Sequence, residues 1–401
     1  MKPVLFVTGH APFDRLGAFA RLSEREDVEF ALFGGRSQHG FQTAPTDREA
    51  PVATTNRKAP AAAADRDALA TTDGAASTPA REPLPFRHRH IAQHEIAALA
   101  ASGRYRAIVG STGGRIALPA AWAGARRARA PLILWTSLWA HPRSAAHLAS
   151  YAALRRLYRA ADAVVTYGPH VSAYVRARAA RNVHIAPQSV DNAYWRHDAS
   201  NPSAATAWPA GTAVKFLFAG RATREKGLGV LIEAWSNSSL SAPSAALVLV
   251  GVGSAPPWVP AGGAVRRDLV WREPVIPAEL RELYAAADIL VVPSIATRTF
   301  REPWGLVVNE AMNQSLPVIA SDAVGAAAGG LVRDGRNGLV VPAGDAGALA
   351  HAMRRLADDA LLRERLGAAG AADVQAYSHD AWAAGFTSAL RSLGLSREER
   401  W

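Results

Sequence analysis

Val214-Lys215-Phe216-Leu217-Phe218-Ala219-Gly220-Arg221-Ala222-Thr223-Arg224-Glu225-Lys226-Gly227 reads as a strand, a tight turn and the opening of a helix. A short apolar run ends in Gly220, and Gly227 precedes the helical pattern of 228–236. Arg221 and Lys226 therefore fall where a strand ends, the edge at which open α/β sheets take their ligands. Arginine grips a diphosphate bidentately, while lysine supplies a compact point charge. Neither the GxGxxG nor the Walker spacing fits this stretch.

About eighty residues further on stands Arg301-Glu302-Pro303-Trp304-Gly305-Leu306-Val307-Val308-Asn309-Glu310-Ala311-Met312. Two carboxylates flank a glycine that opens an apolar run, the pattern of a loop feeding a helix. Backbone N–H groups at such a start suit a phosphate or a sugar hydroxyl. The carboxylates accept hydrogen bonds from hydroxyls that the N–H groups cannot serve.

Outward from these two stretches, strand-like and helix-like runs alternate along the chain, which predicts parallel sheets flanked by helices, an α/β class. Strands are expected near 4–7, 28–33, 107–109, 132–136, 163–166 and 183–186, and again near 215–219, 246–250, 269–271, 289–292, 317–320 and 338–340. Helices are expected at 144–159, 228–236, 277–286, 306–313 and 346–356. The organisation expected is a first domain over 1–197, a linker over 198–211, a second domain over 212–378 and a closing helix in 379–401. Residues 37–85 lack periodicity and are rich in Ala, Thr, Pro and Asp, which reads as a flexible insertion.

At 401 residues, with 49% apolar and 20% charged side chains, the chain can build two cores. No apolar run approaches the ~18 residues of a membrane span. The first residues read as a strand rather than a signal peptide. With no cysteine, thiolate metal sites and disulfides are excluded, which fits a cytoplasmic location. The formal charge of +11 belongs entirely to the first half. Residues 1–200 hold 26 Lys+Arg against 15 Asp+Glu, and the remainder 19 against 19. Clusters at Arg126, Arg127 and Arg129 and at Arg155, Arg156 and Arg159 read either as solvated helix faces or as attraction to an anionic acceptor or membrane surface. Nucleic acid is disfavoured, because no recognition module accompanies the charge.

Taken together, Gly220-Arg221 with Glu225-Lys226-Gly227, Pro293-Ser294, the pair Glu302 and Glu310, 316–322 and 337–342 resemble the retaining glycosyltransferases of family 4, over roughly residues 183–360. The segment Pro187-Gln188-Ser189-Val190-Asp191 is similar to the family's interdomain segment, with Gln and Ser where Asn and Gly are usual. The resemblance implies a GT-B fold, two Rossmann-like domains with parallel sheets facing a central cleft. It implies transfer of a sugar from a nucleoside diphosphate sugar to a glycan, glycolipid or lipid-linked acceptor, with no metal and no cofactor beyond the donor. It assigns Arg221 and Lys226 to the diphosphate, Glu310 to the ribose and Glu302 to the donor sugar. Gly220, the backbone of Trp304, Gly305, Leu306 and Val307, and Ile276 beside the base complete the donor side. Retention is explained there by attack from the face that the diphosphate leaves.

The first half is expected to supply the acceptor side. Gly9 and His10 follow the first strand where the family has a glycine-rich loop beside the donor. His141 lies roughly where such proteins carry a histidine near the donor sugar, and Arg115 follows the Gly113-Gly114 turn. A lone histidine after an aromatic is also a common structural residue, and Gly113-Gly114 reads equally as a plain turn. A glycosidase using Glu302 and Glu310 as acid and nucleophile is disfavoured, since a neutral glycan offers the cation pair nothing to grip. A sugar-nucleotide epimerase, a glycan phosphorylase and a non-catalytic sugar-nucleotide or membrane-surface binding protein remain as rivals.

Overall fold

The computed structural model describes residues 1–34, 37–38, 41–42, 84–114, 116–196, 202–259 and 266–397. In chain order the strands are β1 (Val4–Thr8), β2 (Val28–Leu32), β3 (Ser37–Gln38), β4 (Phe41–Gln42), β5 (His88–His90), β6 (Ala107–Ser111), β7 (Leu132–Thr136), β8 (Ala163–Thr166), β9 (Val183–Ile185), β10 (Val214–Ala219), β11 (Ala245–Val250), β12 (Leu269–Arg272), β13 (Ile289–Val292), β14 (Val318–Ser321) and β15 (Gly338–Val341). Two Rossmann-like domains result. The first holds a sheet in the order β5-β2-β1-β6-β7-β8-β9, the second one in the order β12-β11-β10-β13-β14-β15. Every pairing within both is parallel.

Parallel strands covered on both faces need continuous apolar runs. β11, Ala-Ala-Leu-Val-Leu-Val, is buried along its whole length, as are β1 and β13. β10 carries Phe216 and Leu217 at the two faces of the second sheet, both fully buried. Within these two sheets β5 is the strand that sequence periodicity did not indicate. His-Arg-His has no apolar alternation, and it pairs at the edge of the sheet, where little burial is demanded.

The segment expected as a linker is partly built into the second domain. Residues 198–201 lie outside the described residues, but Pro202–Ala207 forms a 3₁₀ helix. Trp208 behind it is buried and its indole N–H donates to the Phe216 carbonyl at 3.0 Å. The expected insertion lies outside the described residues except for 84–85 and the two-residue strands β3 and β4.

The last helix, His379–Arg391, starts at Ser378, whose hydroxyl accepts from the Ala381 N–H at 3.1 Å. It packs on the first domain, because Trp382, Phe386, Ala389 and Leu390 fall on one helical face against Phe6 and Phe19. Gly385 permits the approach, since a β-carbon there would lie 2.4 Å from the Ile185 carbonyl. The residues after the helix are tied down by Glu26, a fully buried carboxylate that pairs with Arg106 at 2.8 Å and accepts from Ser396 at 2.8 Å.

Candidate functional site

The loops that leave β10, β13 and β14 converge at the carboxyl edge of the second sheet. Gly227 sets their spacing. It has φ +73°, and a β-carbon there would lie 1.8 Å from the Pro293 carbonyl oxygen, so the β10 and β13 loops touch through backbone alone. Ser321 at the end of β14 donates to the Ser294 carbonyl. Gly325 is pressed equally closely against the Pro303 carbonyl, at 2.0 Å for an added β-carbon. The carboxylate loop is thus held from both sides.

On this scaffold Lys226 and Glu302 meet. The ammonium lies 2.5 Å from Glu302 Oε2, which also accepts from Ser294 Oγ at 3.3 Å. Arg221 is exposed at the carboxyl end of β10 and its side chain has no hydrogen-bond or ion-pair partner among the described residues. Gly305 takes φ +90° between Glu302 and the helix Val307–Asn313. That helix carries Glu310, which is 8% exposed. Tyr284, fully buried, donates to Glu310 Oε2 at 2.8 Å. Burial raises the Glu310 carboxyl to about 7, the Tyr284 hydrogen bond works the other way, and Asp14 of the first domain adds to the rise. Trp304 is buried, with its indole N–H on Asn309 Oδ1 at 2.8 Å, so its backbone rather than its ring is available to a ligand. Ile276, 67% exposed, caps the helix Pro277–Ala286 beyond β12.

The first domain faces this edge with a cleft of about 730 Å³. Gly9 and His10 after β1, Gly113 and Gly114 after β6, and Thr136 and Ser137 after β7 line it, and Leu306 of the second domain reaches its rim. Arg15 is held at its floor by Tyr167 at 3.1 Å, by Gln188, and by the rings of Trp135 and Tyr167 beneath its guanidinium. Arg115 lies outside the described residues.

His141 is placed away from Gly9 and His10. Its Nε2 lies 2.8 Å from the His147 carbonyl and its ring packs edge-on against Tyr151, in a second cavity bordered by Arg301 and Pro303. His170, which the sequence did not single out, also lies beside the carboxylate loop. Its Nε2 lies 3.4 Å from the Pro303 carbonyl and its ring packs between Trp139 and Trp304. Burial lowers its pKa to about 4, so it is neutral near pH 7. Position in the sequence gave no signal for it, because a histidine one residue into a helix is ordinary.

Other residues that join the domains were equally silent. The Trp139 indole N–H donates to the Glu302 carbonyl at 3.0 Å, and Asn309 donates to the Gln188 carbonyl at 3.1 Å. Gln188, noted as a departure from the usual interdomain segment, is 1% exposed and sits where Arg15 and Asn309 converge. Among the described residues no group of three or more His, Asp or Glu is arranged to hold a metal ion.

Residues 213–359 match the family described as glycosyl transferases group 1. The whole chain superimposes on Anabaena HepE solved with UDP and glucose, with a TM-score of 0.67 over 98% of this chain and 100% of the other at 16% identity. The fold is GT-B. A sucrose-phosphate synthase from Thermosynechococcus elongatus is as similar, with a TM-score of 0.67, 20% identity and coverage of 98% and 99%. In sequence, the GT-B chain is 39% identical over 130 residues to a D-inositol 3-phosphate glycosyltransferase of Streptomyces griseus, and 35% identical over 162 residues to a phosphatidyl-myo-inositol mannosyltransferase of Mycobacterium leprae. These matches cover 32% and 40% of this chain, and the chain spans only 25% and 42% of the length of those relatives.

Proposed function

We propose that the protein is a retaining glycosyltransferase of family 4, moving a sugar from a nucleoside diphosphate sugar to a glycan, glycolipid or lipid-linked acceptor without a metal ion. The observation that carries this reading is the meeting of Lys226 with Glu302 at the sheet edge where β10 also delivers Arg221, with Glu310 buried a helix turn or two away. A cation pair and an acid pair on one sheet edge match the parts of a nucleotide sugar, which offers negative phosphates at one end and hydroxyl donors at the other.

In the proposed reaction Arg221 and Lys226 receive the diphosphate. Lys226 is already ordered by Glu302, so little reorganisation is required when negative charge grows on the departing phosphate. Such a preplaced donor is worth about 3–4 kcal/mol of barrier. Glu302 exchanges part of its contact with Lys226 for the sugar's hydroxyls, and Glu310 accepts from the ribose. The sugar–phosphate bond breaks, the acceptor oxygen bonds to the anomeric carbon from the same face, and the acceptor proton passes to the leaving phosphate. The first-domain cleft at Gly9 and His10 receives the acceptor, and closure excludes water. The names of the HepE complex and of the inositol-phosphate and phosphatidylinositol transferases support a UDP-type donor and an anionic or lipid acceptor.

A panel of nucleoside diphosphates and their sugars, read by thermal shift, tests the donor half. A bound donor raises the melting temperature by mass action. If no uridine, guanosine, adenosine or thymidine diphosphate species shifts the transition, the reading is rejected. If Glu302→Ala or Lys226→Ala transfers sugar at the parental rate, the assignment of the site is rejected.

A further inference from the structure

Beside the donor edge, a cavity of about 830 Å³ opens between the two domains. Loop 137–143, the helix Ala145–Ala160 and the end of the helix Pro169–Arg176 form one wall, and loop 296–301 forms the other. Four arginines line it, Arg143 and Arg178 from the first domain and Arg298 and Arg301 from the second, and no Asp or Glu does. None of the four makes an ion pair with any described residue. This contrasts with Lys226, Arg106 and Arg266, which are each paired at 2.8 Å or less.

Aromatic rings fix two of these cations. Arg301 lies over Trp139 at 4.1 Å and Arg178 over Tyr174 at 3.5 Å. The wall is also short of acceptors. The Nε–H groups of Arg178 and Arg301 and the hydroxyl of Tyr174 are buried without a hydrogen-bond partner. The two walls are tied by the Arg143 N–H on the Arg298 carbonyl at 2.7 Å and by Trp139 on the Glu302 carbonyl. Ser137 lines both this cavity and the cleft that holds Gly9 and His10, so the two adjoin there.

We propose that this cavity is a subsite for the anionic part of the acceptor, a saccharide carrying a phosphate monoester or a carboxylate. Arginine forks match either group bidentately. Trp139 and Tyr151 border the same cavity, and the reacting hydroxyl reaches the cleft past Ser137. The role as an acceptor subsite rests on the glycosyl-transfer reading above, whereas the affinity for an anionic saccharide does not.

Isothermal titration of the intact protein with glucose 6-phosphate, cellobiouronic acid and neutral cellobiose tests it. At least one charged saccharide is expected to bind and cellobiose is not, and the one that binds identifies the anion as phosphate or carboxylate. Arg143→Gln and Arg298→Gln, both at exposed positions, are each expected to weaken that binding about tenfold. Equal binding of cellobiose, no binding of either charged saccharide to folded protein, or undiminished binding in both arginine variants overturns the proposal. The thermal shift with the same panel of nucleoside diphosphates on the same samples separates the two readings. A nucleotide shift without saccharide binding removes only the subsite. Saccharide binding without any nucleotide shift supports the anion site and removes the transfer reading.

Discussion

The two sheet edges that face each other are built on different principles. On the second domain, the two carboxylates are pinned. Lys226 holds Glu302, Tyr284 holds Glu310, and the loops touch through Gly227 and Gly325 with no room for a side chain. On the first domain, the lining is glycine, aromatic rings and arginines. Arg15 is engaged by neutral acceptors, by the rings of Trp135 and Tyr167 and by Asp14 at 3.8 Å, and a β-carbon at Gly9 would make only ordinary contact, with Phe33 at 3.9 Å. A preorganised edge suits chemistry that is the same whatever the acceptor, whereas an edge lined by glycine, rings and arginine is completed by what binds to it.

The comparison breaks first at Lys226. Lys226→Ala is expected to lower the transfer rate by two to three orders of magnitude, about 3–4 kcal/mol of barrier, with the fold intact by circular dichroism. A fall of less than tenfold would mean that the pinned edge is not where charge develops.

Backbone closeness makes the next largest difference. Gly227→Ala forces a positive φ on a side chain that also strikes the Pro293 carbonyl, and is expected to destabilise the protein by about 3 kcal/mol. Gly9→Ala is expected to change stability by less than about 1 kcal/mol. Chemical denaturation of both variants measures the contrast, and equal effects would erase it.

Glu310 sharpens the same comparison through pH. Its folded pKa of about 7 lies above the unfolded value of 4.5, so the native state holds the proton more tightly. The stability this gives is present below about pH 4.5 and is lost as pH rises through 7. Glu310→Gln is therefore expected to raise stability at pH 8 by about 2–3 kcal/mol, an advantage that shrinks toward pH 5. The same variant is expected to bind nucleotide more weakly, because an amide accepts ribose hydroxyls less well than a carboxylate. A destabilised variant at pH 8 would show that the carboxylate is not held at a cost.

His170, between the domains, has the opposite sign. Its folded pKa of about 4 lies below the ordinary 6.5, so its contribution is present above pH 6.5 and is lost as pH falls through 4. Wild-type protein is expected to lose about 2 kcal/mol from this group between pH 6.5 and pH 4.5, and His170→Gln to lose correspondingly less. Denaturant midpoints across that range decide it.

Much of the second domain was legible in the sequence because its site is written in short local motifs. Gly220-Arg221, Lys226-Gly227 and the pair Glu302 and Glu310 sit at strand ends and helix starts whose positions follow from apolar periodicity. The expected strands at 215–219 and 289–292 and the expected helix at 277–286 coincide with β10, β13 and Pro277–Ala286 to within a residue. The first domain's site was far less so. His141 follows its strand where a functional histidine was anticipated, with its Nε2 against the carbonyl of His147 in the next helix, and His170, which carried no signal, borders the carboxylate loop as well. Arg15, Gln188 and Asn309 are separated by more than a hundred residues and share no pattern.

The sequence by itself determined that the chain forms two parallel sheets and that cations and carboxylates leave the second one together, because strand burial and turn chemistry act over a few residues. Only the tertiary structure decided that Lys226 rests on Glu302, that Glu310 is buried against Tyr284, and that four arginines from two domains surround one cavity. Those relations depend on which distant loops the closed sheets bring within a few ångströms, and no local propensity records that distance.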